Sequence, residues 1–564
     1  MNRKLSAAFT LLVATPLLAC PLVASPAPMK RIDFVVDGKV TEHAGIVGRT
    51  TATGDEQHDH AFVLNGLYKF VYAGAGFTSP NARIHARLAV NKFEGTGAGM
   101  LVNGHWFGFD AKPENRIFGA GEAFDGKTTT FAKAADHIAP GEPFDMVIEV
   151  KDGTLTYSLN GKQVASVSNF PRACDAHPVD AGKGHKLQLV TAIRSWRAKV
   201  ELYSFYVETE GELVALPKSK AVFRSMGSRG THTFRIPALL VTKKNTLLAF
   251  AEARRNGAHD SAEIDTVVRR SEDDGKSWGP EIVVFDGGGN VAGNPCPVVD
   301  QSTGRIWSLN TWNSSKVPEN RIKSGFGEDS RRVFVTYSDD DGKTWAEPNE
   351  ITTSVKRRDW SWYATGPGAG IQLERGKYKG RLIIPCDHKS LPTGKPHTYH
   401  SHIVYSDDHG KSWQIGAVSE MGLNECEAVE LEDGSVMLNS RNHGVDSFHR
   451  GVSISKDGGE TFTSFRRDPK LLEPRCQASI HRYRWAVKNK PGIILFANPA
   501  QKWREYLMLR MSYDDGKTWP DARIIYPYTS AYCDLAILSD GRIAVLYERD
   551  NATRIDLAIL PALK

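Results

Sequence analysis

An all-β chain is predicted, a β-sandwich followed by a six-bladed β-propeller, and three observations predict it. The first is a repeat. SEDDGKSW begins at Ser271, SDDDGKTW at Ser338, SDDHGKSW at Ser406, SKDGGETF at Ser455 and SYDDGKTW at Ser512, at spacings of 67, 68, 49 and 57 residues. The second is a strand-like alternation of apolar and polar residues through residues 28–210. The third is composition: 564 residues, 41% hydrophobic and 24% charged, with a mean hydropathy of −0.36. Such a chain can bury several cores, which excludes disordered, collagenous and multi-pass membrane classes.

Residues 1–27 read as an export signal. Arg3 and Lys4 form a basic start, an apolar stretch runs to Val23, and Ala24, Ser25 and Ala27 are small. Leu17-Leu18-Ala19-Cys20 also resembles a bacterial lipobox, which would lipidate Cys20; cleavage after Ala24 or Ala27 is the alternative. The expected location is therefore exported: secreted, periplasmic, or an outer-membrane lipoprotein of a bacterium. A lipid at Cys20 would be the only membrane contact. The seven cysteines (Cys20, Cys174, Cys296, Cys386, Cys426, Cys476, Cys533) include no CxxC and no close pair, so buried free thiols are expected rather than a disulfide scaffold or zinc site. The net charge is +6, or +4 without Arg3 and Lys4, and no long Lys/Arg block occurs. That argues against a nucleic-acid partner and is compatible with an anionic small substrate.

Residues 28–210 form the predicted sandwich. Its clearest hairpin places Asn160-Gly161 between LTYSL and KQVASV, since both turn residues tolerate positive φ. A long strand-like stretch, LQLVTAIRSWRAKVELYSFYVET, closes this region, and residues 211–221 are read as a linker. Residues 222–564 hold the repeat. Each copy follows an alternating run such as RRVFVTY or EYLMLRM, giving strand, Asp-Gly turn and strand. At about 57 residues per unit this span holds roughly six four-stranded blades. The boxes themselves read as structural turns. Arg504 precedes Ser512 by eight residues, so an extended strand sets them up to about 26 Å apart, and chemistry is expected on the rim away from the boxes.

Phe234-Arg235-Ile236-Pro237 ahead of repeated Asp boxes resembles the exo-α-sialidases (neuraminidases) of the bacterial and animal type, over about three-fifths of the chain from Val222 to Lys564. The sandwich resembles the laminin-G-type, lectin-like domains attached to secreted glycosidases. The sialidase resemblance implies an arginine triad of Arg235, Arg441 (in MLNSRNH) and Arg504, three guanidinium forks suited to the carboxylate of sialic acid. It implies Tyr532 (in YTSAYCDLAIL) as nucleophile and Glu425 (in NECEAVEL) as its proton acceptor. A neutral phenol is not repelled by the substrate's carboxylate as a carboxylate nucleophile would be, yet its pKa near 10 requires activation. Asp260, in RRNGAHDSAEID, would be the acid/base, with Asp265 and Glu263 as competitors. Arg254 would contact substrate or the acid, with Arg255 one residue away; Glu548, in VLYERD, would hold the first triad arginine.

The implied activity is retaining hydrolysis of terminal α-linked sialic acid, without metal or organic cofactor, through a sialyl-tyrosine intermediate. The expected partners are sialylated glycans (mucins and other glycoproteins, gangliosides, oligosaccharides), acted on by a monomer. A trans-sialidase or an intramolecular one would share every residue named. An inert sialoglycan-binding lectin would need only the arginines, and a structural Asp-box propeller none of the set. His58-Asp59-His60 has metal-like spacing on a polar stretch; His397, His400 and His402 alternate near a strand and read as structural. Thr365-Gly366-Pro367-Gly368 lacks the Lys-Ser/Thr of a phosphate loop, and Trp362 to Leu373 would wall the glycerol or N-acyl side of the sugar. Asn313 and Asn551 head glycosylation sequons that are irrelevant in a bacterium.

Overall fold

The computed structural model describes residues 29–47, 57–58, 61–73, 75–91, 97–110, 115–124, 127–171, 189–225, 230–390, 398–443 and 447–563. Cys20, the export signal, Cys174, the Asp59-His60 pair and His397 lie outside these residues. The described chain is almost wholly β, in accord with the predicted class.

The N-terminal strands form one hydrogen-bonded network of 14 strands rather than two separate sheets. The reason is the 19-residue strand Thr191–Thr209. Its first half lies between Gly97–Val102 and Ala61–Ala73, and its second half pairs with Ala82–Val90 and Lys30–Val36. Bulges along it let one strand turn from one layer into the other. Alternation fixes which side chains face inward: in Phe144–Lys151 every second residue from Phe144 is buried, and Thr154–Leu159 alternates likewise. These residues join Phe34, Phe107, Phe109 and Phe205 in a single core. The predicted turn is present, with Asn160 at φ 48° and Gly161 at φ 76°, and Asp152-Gly153 repeats the geometry one hairpin earlier.

The stretch 211–221, read as a linker, contains strand. Leu213–Ala215 pairs with Ala75–Phe77, and Ser219–Arg224 pairs antiparallel with Arg554–Leu560, the last strand of the chain. Pro217 and the flanking lysines hid this edge pairing, whose partner lies over 300 residues away.

Beyond it, the described strands fall into successive antiparallel groups of four. The first runs Thr233–Val241, Leu247–Arg254, Ile264–Ser271 and Ile282–Phe285; the second Val291–Val299, Ile306–Asn313, Arg332–Ser338 and Asn349–Glu350. Trp360–Thr365, Leu382–Ser390, Thr398–Ser406 and Gln414–Val418 follow, then Leu423–Glu430, Val436–Asn442, His449–Ser455 and Ser464–Leu472. Ser479–Arg484, Ile493–Pro499 and Glu505–Ser512 share Asp521–Ile537 with a last group formed by Ile543–Arg549, Arg554–Leu560 and Ser219–Arg224.

Each box serine ends the third strand of its group. In the first box Ser271 Oγ accepts from Gly275 N at 2.8 Å, while Asp273 accepts from Ser277 N at 2.8 Å and from Ser277 Oγ at 2.6 Å. The same bonds recur around Asp340, Asp408, Asp457 and Asp514. Two consecutive residues take positive φ, not only the glycine: Asp274 and Gly275, Asp341 and Gly342, His409 and Gly410, Gly458 and Gly459, Asp515 and Gly516. The box aromatic seals its group against the preceding one. Trp413 packs with Trp307, Trp345 edges onto Phe250, and Trp519 joins Val429 and Met437. Cys296, Cys386, Cys426, Cys476 and Cys533 are buried free thiols.

Candidate active site

The first strands of these groups share a defect. Register slips by one residue, with two residues standing opposite one, at Arg235/Ala238, Gly293/Cys296, Trp360/Tyr363, Leu423/Cys426 and Ser530/Cys533. Bulges leave residues unpaired with the neighbouring strand and re-aim their side chains. The skipped residues include Ile236, Asn294, Trp362, Asn424, Glu425 and Tyr532, and all six line one cavity of about 210 Å³. Arg235, Arg254, Asp260, Arg441 and Arg504 line it too. Seven of the eight residues singled out in the sequence thus meet in one place. Glu548, the eighth, lies directly behind Arg235.

Arg235 is fixed by this pairing. Its Nε and Nη2 donate to the two Glu548 oxygens at 3.0 Å each, and Ile236 N donates to Glu548 Oε1 at 2.8 Å. The last bond holds Ile236 at φ 57°, a left-handed conformation that a β-branched residue seldom adopts. Glu548 is buried, so the bidentate pair forms away from water.

Tyr532 stands between two partners. Its hydroxyl donates to Glu425 Oε1 at 2.5 Å and accepts from Arg441 Nη1 at 3.1 Å; the same nitrogen donates to Glu425 Oε2 at 2.6 Å. The Arg235 and Arg504 guanidiniums lie 5.0 and 5.4 Å from the Tyr532 ring centroid. Burial, with the Glu425 charge, pushes the phenol pKa well above 10, against the pull of Arg441, Arg504 and Arg235. The resting group is therefore a neutral phenol beside a base. Arg504 donates to the Arg475 carbonyl at 3.2 Å and has no ion pair among the described residues, so its charge faces the cavity uncompensated.

On the opposite wall Arg254 is buried and held by Glu252, with Nε and Nη2 at 3.0 and 2.7 Å from Oε2, and by the Ala258 carbonyl at 2.7 Å. Its Nη1 reaches Asp260 Oδ1 at 2.8 Å, and Arg235 Nη1 is 4.0 Å from the same oxygen. Asp260 is 59% exposed, open to a molecule entering the cavity. Burial of its inner side would raise its pKa, but Arg254 and Arg235 hold the carboxyl below the usual range. Arg255 and Asp265 pair with each other at 2.8 Å outside the cavity, and Glu263 does not line it.

Several lining residues were not singled out in the sequence. Glu252 could have been, since it lies two positions before Arg254 on one strand and shares its face. Glu319 could not: it opens a three-residue 3-10 helix between two strands and is drawn in by Lys389 Nζ at 2.6 Å and Tyr399 OH at 2.8 Å. Arg331 is buried under the Trp362 ring, 4.4 Å from its centroid, and donates to Asn294, Asn313 and the Tyr363 carbonyl. With only neutral acceptors, burial lowers its pKa to about 10. His443 is lowered to about 4, first by burial and then by Arg441, and is neutral at pH 7. His402 and His388 belong to a packed cluster instead, with Nδ1 atoms 3.0 Å apart and His388 stacked on Trp360. Among the described residues no group of three His, Cys, Asp or Glu side chains is placed to hold a metal ion.

The cavity can thus seat an anion on the guanidiniums of Arg235, Arg441 and Arg504, with a phenol–carboxylate pair and a second carboxylate, Asp260, in the same lining. Comparison with known proteins points the same way. The BNR repeat-like domain model matches residues 245–545. The chain is 33% identical over 342 residues to a sialidase of Micromonospora viridifaciens, covering 58% of this chain and 52% of that protein. It is 30% identical over 350 residues to an exo-alpha-sialidase of Aspergillus fumigatus, covering 57% of this chain and 80% of that protein. The solved structure of the Hadza microbial sialidase Hz136 is similar in fold, with a TM-score of 0.55 at 20% identity over 86% of this chain and 94% of that one. The chain spans about half the length of the Micromonospora relative and four-fifths of the Aspergillus one. This chain belongs to the sialidase family, built on BNR repeats.

Proposed function

We propose that the protein is a retaining exo-α-sialidase that removes terminal α-linked sialic acid from glycoproteins, glycolipids and oligosaccharides. In this reading the four-strand groups of residues 222–564 form a six-bladed propeller, residues 28–210 a lectin-like sandwich, and residues 1–27 an export signal. The observation that carries it is the Tyr532 phenol, bonded to both Glu425 and Arg441 with Arg235 and Arg504 beside its ring.

The substrate carboxylate sits on Arg235, Arg441 and Arg504. Its negative charge offsets part of the field of Arg235, so the Asp260 pKa rises in the complex and the acid can hold a proton. Tyr532 Oη attacks the anomeric carbon as its proton passes to Glu425, and Asp260 protonates the departing glycosidic oxygen. Water then attacks the same carbon, giving its proton to Asp260, while the phenolate leaves and regains its proton from Glu425. Two displacements return the original anomeric configuration. Arg441 moves with neither proton; it lies within hydrogen-bond reach of the phenolate and lowers its energy.

The test is release of 4-methylumbelliferone from its α-sialoside, with the sugar identified by mass. Free sialic acid from the wild type and loss of at least about a thousandfold in kcat for Tyr532→Phe is the expected result. An anhydro sugar would reassign the reaction to intramolecular transfer. Binding of sialylated glycans without turnover would leave the arginines as a recognition site only.

A further inference from the structure

Arg504 is the last residue before the strand Glu505–Ser512, and Glu505 is the first within it. Arg504 faces the cavity. Its neighbour Glu505 is met from behind by Arg194 of the N-terminal sheet: Nη1 donates to Oε1 at 2.9 Å, with the two side chains only 9% and 10% exposed. The Arg194 guanidinium also lies 4.7 Å from the Trp106 ring centroid.

The join around this pair is buried and specific. Tyr528 Oη donates to the Thr191 carbonyl at 3.0 Å, and Val190 packs with Ala500, Tyr506 and Met508. Tyr506 has φ 67°, at a slip in register between Glu505 and Leu507. A tyrosine keeps that conformation only where its surroundings over-determine it, and here part of them come from the N-terminal sheet. Ser530 N donates to the Arg504 carbonyl at 2.9 Å, so this corner is one wall of the cavity.

We propose that Arg194 is a positioning residue for the carboxylate site: paired with Glu505 across the join, it fixes the direction of Arg504, and the N-terminal sheet is part of the substrate-binding machinery. A buried ion pair is a weak source of net stability, but losing one partner leaves a buried charge uncompensated. Here that charge would be Glu505, adjacent in the chain to an arginine whose own charge has no ion pair among the described residues. The inference rests on the sialidase reading.

The experiment measures kcat and KM for 4-methylumbelliferyl α-sialoside, with melting temperatures, in the full chain and its Arg194→Met, Arg194→Lys and Glu505→Gln variants. Arg504 meets the carboxylate in ground and transition states alike, whereas Tyr532 is held separately by Glu425 and Arg441. Arg194→Met and Glu505→Gln therefore raise KM about tenfold with kcat within about twofold, and Arg194→Lys recovers most of the loss. Should Arg194→Met fail to fold, Glu505→Gln keeps the side-chain volume and carries the test. A lowered melting temperature with unchanged KM would overturn the inference by making the pair merely structural. A wild-type chain that does not cleave the sialoside overturns the functional reading itself, and this inference with it.

Discussion

Tyr532 and Asp260 line the same cavity in opposite electrostatic settings. The phenol is kept protonated by burial and by Glu425, while the carboxyl is kept charged by Arg254 and Arg235. In the proposed mechanism both are reversed: the incoming carboxylate lets Asp260 hold a proton, and the phenol gives its own to Glu425 as it attacks. Removing the acid should therefore matter in proportion to the leaving group. Asp260→Ala is expected to cut kcat on sialyllactose by about 10²- to 10⁴-fold and much less on the methylumbelliferyl sialoside, measured side by side. Equal losses on both would assign Asp260 another role. Glu548→Gln should raise KM about tenfold at modest cost in kcat, because Arg235 would lose a bidentate carboxylate and the Ile236 amide a charged acceptor. The residues that could be named from the sequence sit in recognisable local strings such as FRIP and NECEAVEL. Arg331 and Glu319 could not be named, because partners distant in sequence bring them to the cavity: Asn294 and Tyr363 for Arg331, Lys389 and Tyr399 for Glu319.

At the scale of the element, the box and the bulge divide the labour. The box turn itself is closed by local bonds from its own serine, threonine and backbone amides, which is why its pattern is visible in eight consecutive residues. Asp514 accepts from Ser512 Oγ, Thr518 N and Thr518 Oγ1 at 2.8, 2.8 and 2.6 Å. Asp514→Ala should cost about 1–2 kcal/mol in denaturant unfolding and leave kcat/KM unchanged, since no box residue lines the cavity. A loss of activity in the fully folded variant would contradict the separation of box and site. The bulges at the other end share no repeated string, so their common geometry is not visible in the sequence. Ile236 and Asn294 both precede prolines and both take positive φ, a combination that local preference disfavours and that Glu548 and Glu252 hold through the Ile236 and Asn294 amides.

Across the whole molecule, the repeat announced the strand groups, whereas the pairing of Ser219–Arg224 with Arg554–Leu560 and the continuity of the 14-stranded network depend on contacts far apart in sequence. Stability should depend on pH through two opposing sets of carboxyls. Hydrogen bonds from Ser277 and Ser271 hold Asp273 at about 2, and those of Thr344 and Ser338 outweigh partial burial to hold Asp340 at about 2. Their contribution is present above the ordinary carboxylate value and lost as pH falls toward 2. Burial pushes up both Glu427 and Asp534, and the Asp534 charge adds to the rise at Glu427, so the native state binds protons that the unfolded chain has released, and stability falls as pH rises above about 4. Asp534→Asn should lose less melting temperature than the wild type between pH 5 and pH 8, by calorimetry. A parallel decline would remove the buried pair from the account.

The covalent step at Tyr532 is reached directly by one measurement: intact-protein and peptide mass spectrometry after incubation with a 2,3-difluorinated sialic acid, which slows release of any glycosyl-enzyme. The account predicts one added fluorosialyl unit per chain, carried by the peptide containing Tyr532 and absent from Tyr532→Phe. An active enzyme whose adduct maps to Glu425, or that forms none, would contradict it.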